Sequence, residues 1–130
     1  MSGPRVFRLI QPVEDIETAV AFYGRVLGDA GERIALNRHY FTCGSVVLAC
    51  VEAPLERREP RPAKDPRIVY LAVDDVEATF EQVRAAGPRW IDDGIATQFW
   101  GERSFYADDP FGNPLCFVQE DTLYLGGPVG

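Results

Sequence analysis

Few residues of this 130-residue chain have the types that do chemistry near neutral pH, and they are scattered along it. The one histidine, His39, follows Asn37-Arg38 in a turn-like stretch. It reads either as an exposed turn residue or as a cleft residue that hydrogen-bonds a ligand and titrates near neutrality. No carboxylate or nucleophile is identifiable beside it, so general-base catalysis has no support. Cys43, Cys50 and Cys116 are odd in number and fall at or inside strand patterns rather than in a spaced framework. Reduced, packed thiols are the expected state. Arg103 has acidic company in Glu102 and Asp108-Asp109. It either pairs with one of them at the surface or donates to a ligand carboxylate or phosphate. Asp108-Asp109-Pro110-Phe111-Gly112-Asn113 reads as an acidic turn with Pro and Gly where a turn needs them, not as a metal loop.

The elements that must position these residues occur twice. Val13-Glu14-Asp15-Ile16-Glu17 closes an apolar run and opens a helical pattern, and Val73-Asp74-Asp75-Val76-Glu77 does the same 60 residues later (75 − 15). Val6 to Val13 and Arg67 to Val73 are short and rich in β-branched and aromatic residues, which predicts strands. Asp15 and Asp75 are helix N-caps, with Glu17 and Glu77 in the first turn, where the helix dipole favours negative charge. Ile16, Ala19, Val20, Tyr23 and Leu27 share one helical face, as do Val76, Phe80, Val83 and Ala86. Gly28 and Gly87 are predicted to stop the two helices in the same way. A three-strand meander follows each helix: Arg33 to Asn37, Tyr40 to Cys43 and Val46 to Val51, then Trp90 to Thr97, Arg103 to Ala107 and Pro114 to Gln119. The fold class is α+β, two tandem β-α-β-β-β modules over residues 6–52 and 67–120, with a tail at 121–130.

Between the modules, residues 53–66 hold four prolines and many charges, which predicts a linker. A module of about 60 residues has a marginal core, so the two are expected to complete one another as a single domain over 1–130. The composition, 46% hydrophobic and 25% charged, is that of an ordinary globular chain. A net charge of −7 argues against nucleic acid and against an anionic membrane surface. Residues 1–6 lack the apolar stretch of a secretory signal and no segment is long enough to cross a bilayer, so a cytoplasmic location is expected.

Ala21-Phe22-Tyr23-Gly24-Arg25-Val26-Leu27-Gly28 resembles the F-Y-x-x-x-L-G helix end of the vicinal oxygen chelate superfamily, which holds glyoxalase I, extradiol dioxygenases, and fosfomycin- and bleomycin-resistance proteins. The stretch from Trp100-Gly101 through Phe105 and Asp109-Pro110-Phe111-Gly112-Asn113 to Phe117 is similar to the corresponding segment of bleomycin-resistance-like members. The resemblance runs from Val6 to about Glu120. It implies modules with mixed sheets curling around a cleft, in a homodimer. Its enzymes hold one divalent ion with His or Glu from the first and last strands of the modules.

Those positions are unsuited to a metal in this chain. Counting back seven residues from Asp15 and Asp75 reaches Arg8 and Ile68, and counting four beyond Gly112 and Gly44 reaches Cys116 and Leu48. Only the thiol can coordinate, and a cation at Arg8 repels a divalent ion. No metal or other cofactor is therefore expected. The cleft is expected to be lined by Arg8, Tyr40, Tyr70, Trp100, Arg103 and Cys116, with His39 a further ligand-binding candidate. The resemblance implies that Trp100 stacks on a planar ligand; the alternative is packing at the dimer interface or under its own loop. Two functions from different classes follow: a metal-free protein that binds a small aromatic or cationic molecule, or a glyoxalase-type lyase or dioxygenase that uses a metal or Arg8 and His39. A catalytically silent scaffold is a third.

Overall fold

The computed structural model describes residues 6–52 and 67–124. The linker expected at 53–66 and the tail beyond 124 lie outside the described residues. The chain forms two compact units, Met1–Pro62 and Ala63–Gly130, which divide within that expected linker.

The first unit runs β1 (Arg8–Val13), α1 (Ile16–Leu27), β2 (Glu32–Ala35), β3 (Arg38–Cys43) and β4 (Val46–Glu52). Its sheet has the order β1-β4-β3-β2, with β1 parallel to β4 and the other pairs antiparallel. The second unit runs β5 (Val69–Val73), α2 (Val76–Ala85), β6 (Trp90–Ile91), β7 (Ala96–Thr97), β8 (Arg103–Asp108) and β9 (Pro114–Gln119), then a 3₁₀ turn at Glu120–Thr122. Its sheet has the order β5-β9-β8-β6, again parallel in its first pair, and β7 also pairs with β8. Both units are therefore α+β with mixed sheets.

The caps form where the sequence places them. Asp15 accepts from the Thr18 backbone N–H at 2.9 Å, and Asp75 from that of Ala78 at 3.1 Å. A second cap comes from the far end of each unit: Glu52 Oε1 accepts from Ile16 N at 2.7 Å, and Gln119 Oε1 from Val76 N at 2.8 Å. Each helix start is thus tied to the last residue of its unit's last strand, satisfying a backbone donor that the helix itself leaves orphaned.

Two expectations need correction. The helices do not stop in the same way: Gly28 is the left-handed cap of α1, whereas α2 ends at Ala86 in right-handed conformation and Gly87 follows it. The single strand expected over Trp90–Thr97 is two short ones. Asp92 interrupts it by giving its backbone N–H to Tyr106 O at 3.0 Å while its carboxylate accepts from Tyr106 N at 2.8 Å.

Strand pairing sorts side chains by face. In the first unit, Gln11, His39, Phe41, Leu48 and Cys50 lie on the side of α1, whose buried residues are Ile16, Ala19, Phe22 and Tyr23. Arg8, Ile10, Arg38 and Tyr40 lie on the other side. In the second unit, Phe105, Leu115 and Phe117 face α2, and Phe105 meets Phe80 edge-on with ring centroids 5.0 Å apart. Tyr70, Ser104, Tyr106, Cys116 and Val118 turn away from it. Among the described residues no helix is long and apolar enough to cross a membrane.

Candidate functional site

The side of the second sheet turned away from α2 carries a concavity. An open pocket of about 500 Å³ is lined by Tyr70, Leu71, Ala72, Trp100, Glu102, Val118, Leu123 and Tyr124. Strand alternation brings Tyr70, Tyr106 and Cys116 side by side in neighbouring strands. The Tyr70 and Tyr106 hydroxyls lie 3.3 Å apart, and their rings meet edge-on.

Trp100 reaches the pocket through the turn that follows it. Gly101 has φ +98°, a backbone conformation that strains any residue with a side chain, which gives the W-G pair a physical reason. The indole Nε1–H donates to Glu102 Oε1 at 2.7 Å, and Glu102 Oε2 accepts from the Tyr124 backbone N–H at 2.9 Å. The carboxylate is therefore held by neutral donors alone among the described residues. Phe99 braces the outer side of Trp100, with centroids 4.7 Å apart.

The Cys116 thiol is pushed up to about 11, first by burial and further by the Glu102 and Asp92 carboxylates, while hydrogen bonds with Tyr106 and Ser104 pull it down. The hydrogen bond with Tyr70, burial and the neighbouring Cys116 raise the Tyr106 phenol above its ordinary range. Both groups stay neutral at physiological pH, and Cys116 is a poor nucleophile there.

The other candidates from the sequence lie elsewhere. Arg103 points to the α2 side and pairs with Glu77, not with Glu102, Asp108 or Asp109. Asp109 does what a turn residue does, accepting from the Phe111 and Asn113 backbones at 2.8 and 2.9 Å. Arg8 and Tyr40 lie together in the first unit, the guanidinium carbon 5.2 Å from the ring centroid. His39 is neither an exposed turn residue nor on that face. It sits within β3 on the α1 side, 6% exposed, with Nε2–H donating to Ala30 O at 2.9 Å and Nδ1 accepting from Arg33 Nε–H at 3.2 Å. Both ring nitrogens are engaged, which leaves no nitrogen to act as a base.

Sequence reasoning missed Glu102, Tyr106 and Tyr124. The alternation of β8 contains the signal for Tyr106, since an inward Phe105 turns its neighbour outward. Nothing local marks Tyr124, which joins the pocket through the Glu102 hydrogen bond.

The donors at the metal positions do not fit a divalent ion. Arg8 is a cation, Ile68 an alkyl group, and Cys116 a thiol protonated far above neutrality. Leu48 needs a correction as well. Pairing sets Tyr70 beside Cys116 and Ile10 beside Ala49, so Ala49 is the counterpart of Cys116 and Leu48 is buried toward α1. Counting from the glycine fails because the two hairpin turns differ in length. Among the described residues no group of three or more His, Cys, Asp or Glu side chains is placed to hold a metal ion.

Two units, β-α-β-β-β and β-α-β-β-β-β, each with its first strand parallel to its last and one helix on one side of a mixed sheet, define a class of α+β protein. Solved structures share that fold. A glyoxalase/bleomycin resistance protein/dioxygenase from Nocardioides is similar at TM-score 0.73 and 23% identity, over 100% of this chain and 90% of that one. A glyoxalase-related enzyme from Fulvimarina pelagi is similar at TM-score 0.71 and 18% identity, over 97% and 96%. A glyoxalase/bleomycin resistance protein from Albidiferax ferrireducens T118 gives 0.71 and 18%, over 86% and 95%. No curated protein matches the chain in sequence. The Glyoxalase/Bleomycin resistance protein/Dioxygenase superfamily matches residues 5–117, and the chain belongs to that family.

Proposed function

We propose that this protein binds a small aromatic or cationic molecule without a metal ion, in the pocket of its second unit. The observation that carries the reading is the pocket itself: Tyr70, Trp100 and Tyr124 supply aromatic surface around Glu102, a carboxylate held only by neutral donors. Aromatic faces and an unneutralised carboxylate both attract an organic cation, and the faces alone attract a planar ring. The misfit of the metal positions supports a metal-free mode. The chemistry read here is recognition: Tyr106 and Cys116 keep their protons at neutral pH, and the Glu102 carboxylate is engaged by Trp100 and the Tyr124 backbone.

The working form is a homodimer in the cytoplasm, an extension that rests on the family resemblance and on the chain's sequence. Net charge −7 speaks against nucleic acid and anionic membranes as partners.

Calorimetric titration with benzyltrimethylammonium, an aromatic cation, tests the reading. Trp100→Ala is expected to weaken binding by about tenfold or more through lost stacking and cation–π attraction. Unchanged affinity in a variant with a native circular dichroism spectrum removes Trp100 from the site, and no binding to the native protein removes the pocket reading.

A further inference from the structure

The first unit carries an arrangement of the opposite sign that the pocket does not explain. Arg8 and Arg38 lie on the side of the sheet turned away from α1, and both approach one ring: their guanidinium carbons are 5.2 and 5.9 Å from the Tyr40 centroid. Arg8 also lies 5.0 Å from the Phe7 ring. Arg38 Nη1–H donates to the Tyr40 hydroxyl at 2.8 Å. Strand register enforces the grouping, because Arg38 and Tyr40 alternate on β3 and Ile10 and Tyr40 both flank Ala49 of β4.

Three other arginines are matched to carboxylates: Arg33 with Glu17, Arg84 with Glu81 and Arg103 with Glu77. Arg8 and Arg38 have no carboxylate partner among the described residues, in a chain with 20 acidic and 13 basic residues. Aromatic rings hold them instead, and a ring positions a guanidinium without neutralising it. The Tyr40 oxygen accepts from Arg38, so its own proton is left to donate. Two charged forks and one hydroxyl, all donors, fit an oxyanion. Phe7 and Ile10, 54% and 43% exposed, offer apolar surface beside them.

We propose that Arg8, Arg38 and Tyr40 form an oxyanion site that takes the carboxylate or phosphate group of a small molecule with an apolar body. Arg8 occupies the first-strand position at which the resemblance implies a metal ligand, so a fixed guanidinium supplies positive charge there. The site belongs to the first unit alone and does not depend on the pocket of the second.

Calorimetry of the full chain at low salt, with benzoate, phenyl phosphate, inorganic phosphate and neutral benzamide as probes, tests the assignment. The expected result is binding of benzoate or phenyl phosphate, weaker binding of inorganic phosphate, and none of benzamide. Arg8→Gln and Arg38→Gln are each expected to lower affinity for the bound organic anion by about tenfold, the loss of one charge-assisted hydrogen bond. Arg84→Gln, on α2, is expected to leave it unchanged. Benzamide binding as tightly as benzoate overturns the proposal, as does anion affinity indifferent to both arginine substitutions. Absence of anion binding to the native protein up to about 10 mM, a range that includes weak sites, does so without any variant. Inorganic phosphate binding as well as phenyl phosphate assigns the site to the free ion and overturns the apolar body.

Discussion

The two units set opposite kinds of side chain against their helices at equivalent positions. Alignment on the helix caps and strand pairs matches Gln11 with Leu71, Tyr23 with Val83, His39 with Phe105 and Cys50 with Phe117. In the first unit these side chains form polar links: Gln11 donates to the Tyr23 hydroxyl at 2.9 Å, and His39 bridges Arg33 and Ala30. In the second they form an apolar stack, Phe105 on Phe117 with centroids 4.9 Å apart. One topology accepts both because each buried polar group in the first unit has a partner. The frame is set by caps and strand pairing, and the filling is free to differ.

Exchange of residues between the units breaks that equivalence, with Phe105→His the largest effect. An imidazole there has no counterpart of Arg33 or Ala30 and leaves part of the stack empty, so a loss of about 3–5 kcal/mol is expected in urea unfolding. His39→Phe fits an apolar frame but strands the Ala30 carbonyl and Arg33 Nε–H, at an expected cost of about 1–2 kcal/mol. A cost for His39→Phe equal to that for Phe105→His would show that both positions demand their own residue and that the frame is not general.

The long-range helix caps sharpen the comparison. Gln119 also donates to Asp74 O at 2.6 Å, beside Asp75, Asp121 and the Glu77–Arg103 pair, which leaves the surroundings net acidic. Gln119→Glu loses that donor and adds a charge among acids, which predicts a loss of about 1–2 kcal/mol by thermal denaturation. Glu52→Gln keeps an acceptor for Ile16 and loses only the attraction to the helix dipole, about 0.5 kcal/mol. The reverse order would mean that charge at the helix start outweighs hydrogen-bond matching.

The smallest effect concerns alkaline pH. Cys116 titrates at about 11 in the folded chain against 9.0 for a free thiol, so the folded state holds its proton longer. The resulting stability is fully present below about pH 9 and is lost as pH rises through about 11. Tyr106 adds to the same trend, its phenol also being raised. Cys116→Ala is expected to shallow the fall of melting temperature between these pH values. An unaltered slope in Cys116→Ala would assign the whole trend to other groups.

The repeat, both Asp caps and most strands were legible because they depend on local chemistry: a capping carboxylate, a helical stripe, a β-branched run. What escaped depends on chain segments that meet only in the fold. Alternation around Tyr40 and Phe41 places His39 with the inward-facing side only once β3 is known to start at Arg38, and a turn-like sequence hid that start. Arg103 has acids on both sides in sequence, yet its partner is Glu77 on a helix. The six residues expected to line one cleft fall in different places: Tyr70 and Trp100 line the pocket of the second unit and Cys116 pairs beside Tyr70, whereas Arg8 and Tyr40 form a grouping of their own in the other unit and Arg103 joins Glu77. The carboxylate that gives the pocket its charge, Glu102, is singled out only by its bonds to Trp100 and to the backbone of Tyr124.

The parallel pairing of β1 with β4, and of β5 with β9, has a consequence for the order of events in synthesis. The first strand of each unit has its partner only after the last strand has emerged, and the same strand delivers the side chain that closes the helix start. Neither unit can complete its sheet from a leading fragment, so closure is a late event involving residues far apart in the chain. A chain arrested before Glu52, or trimmed before Gln119, would leave a helix unlatched and a strand edge bare for other chains to join.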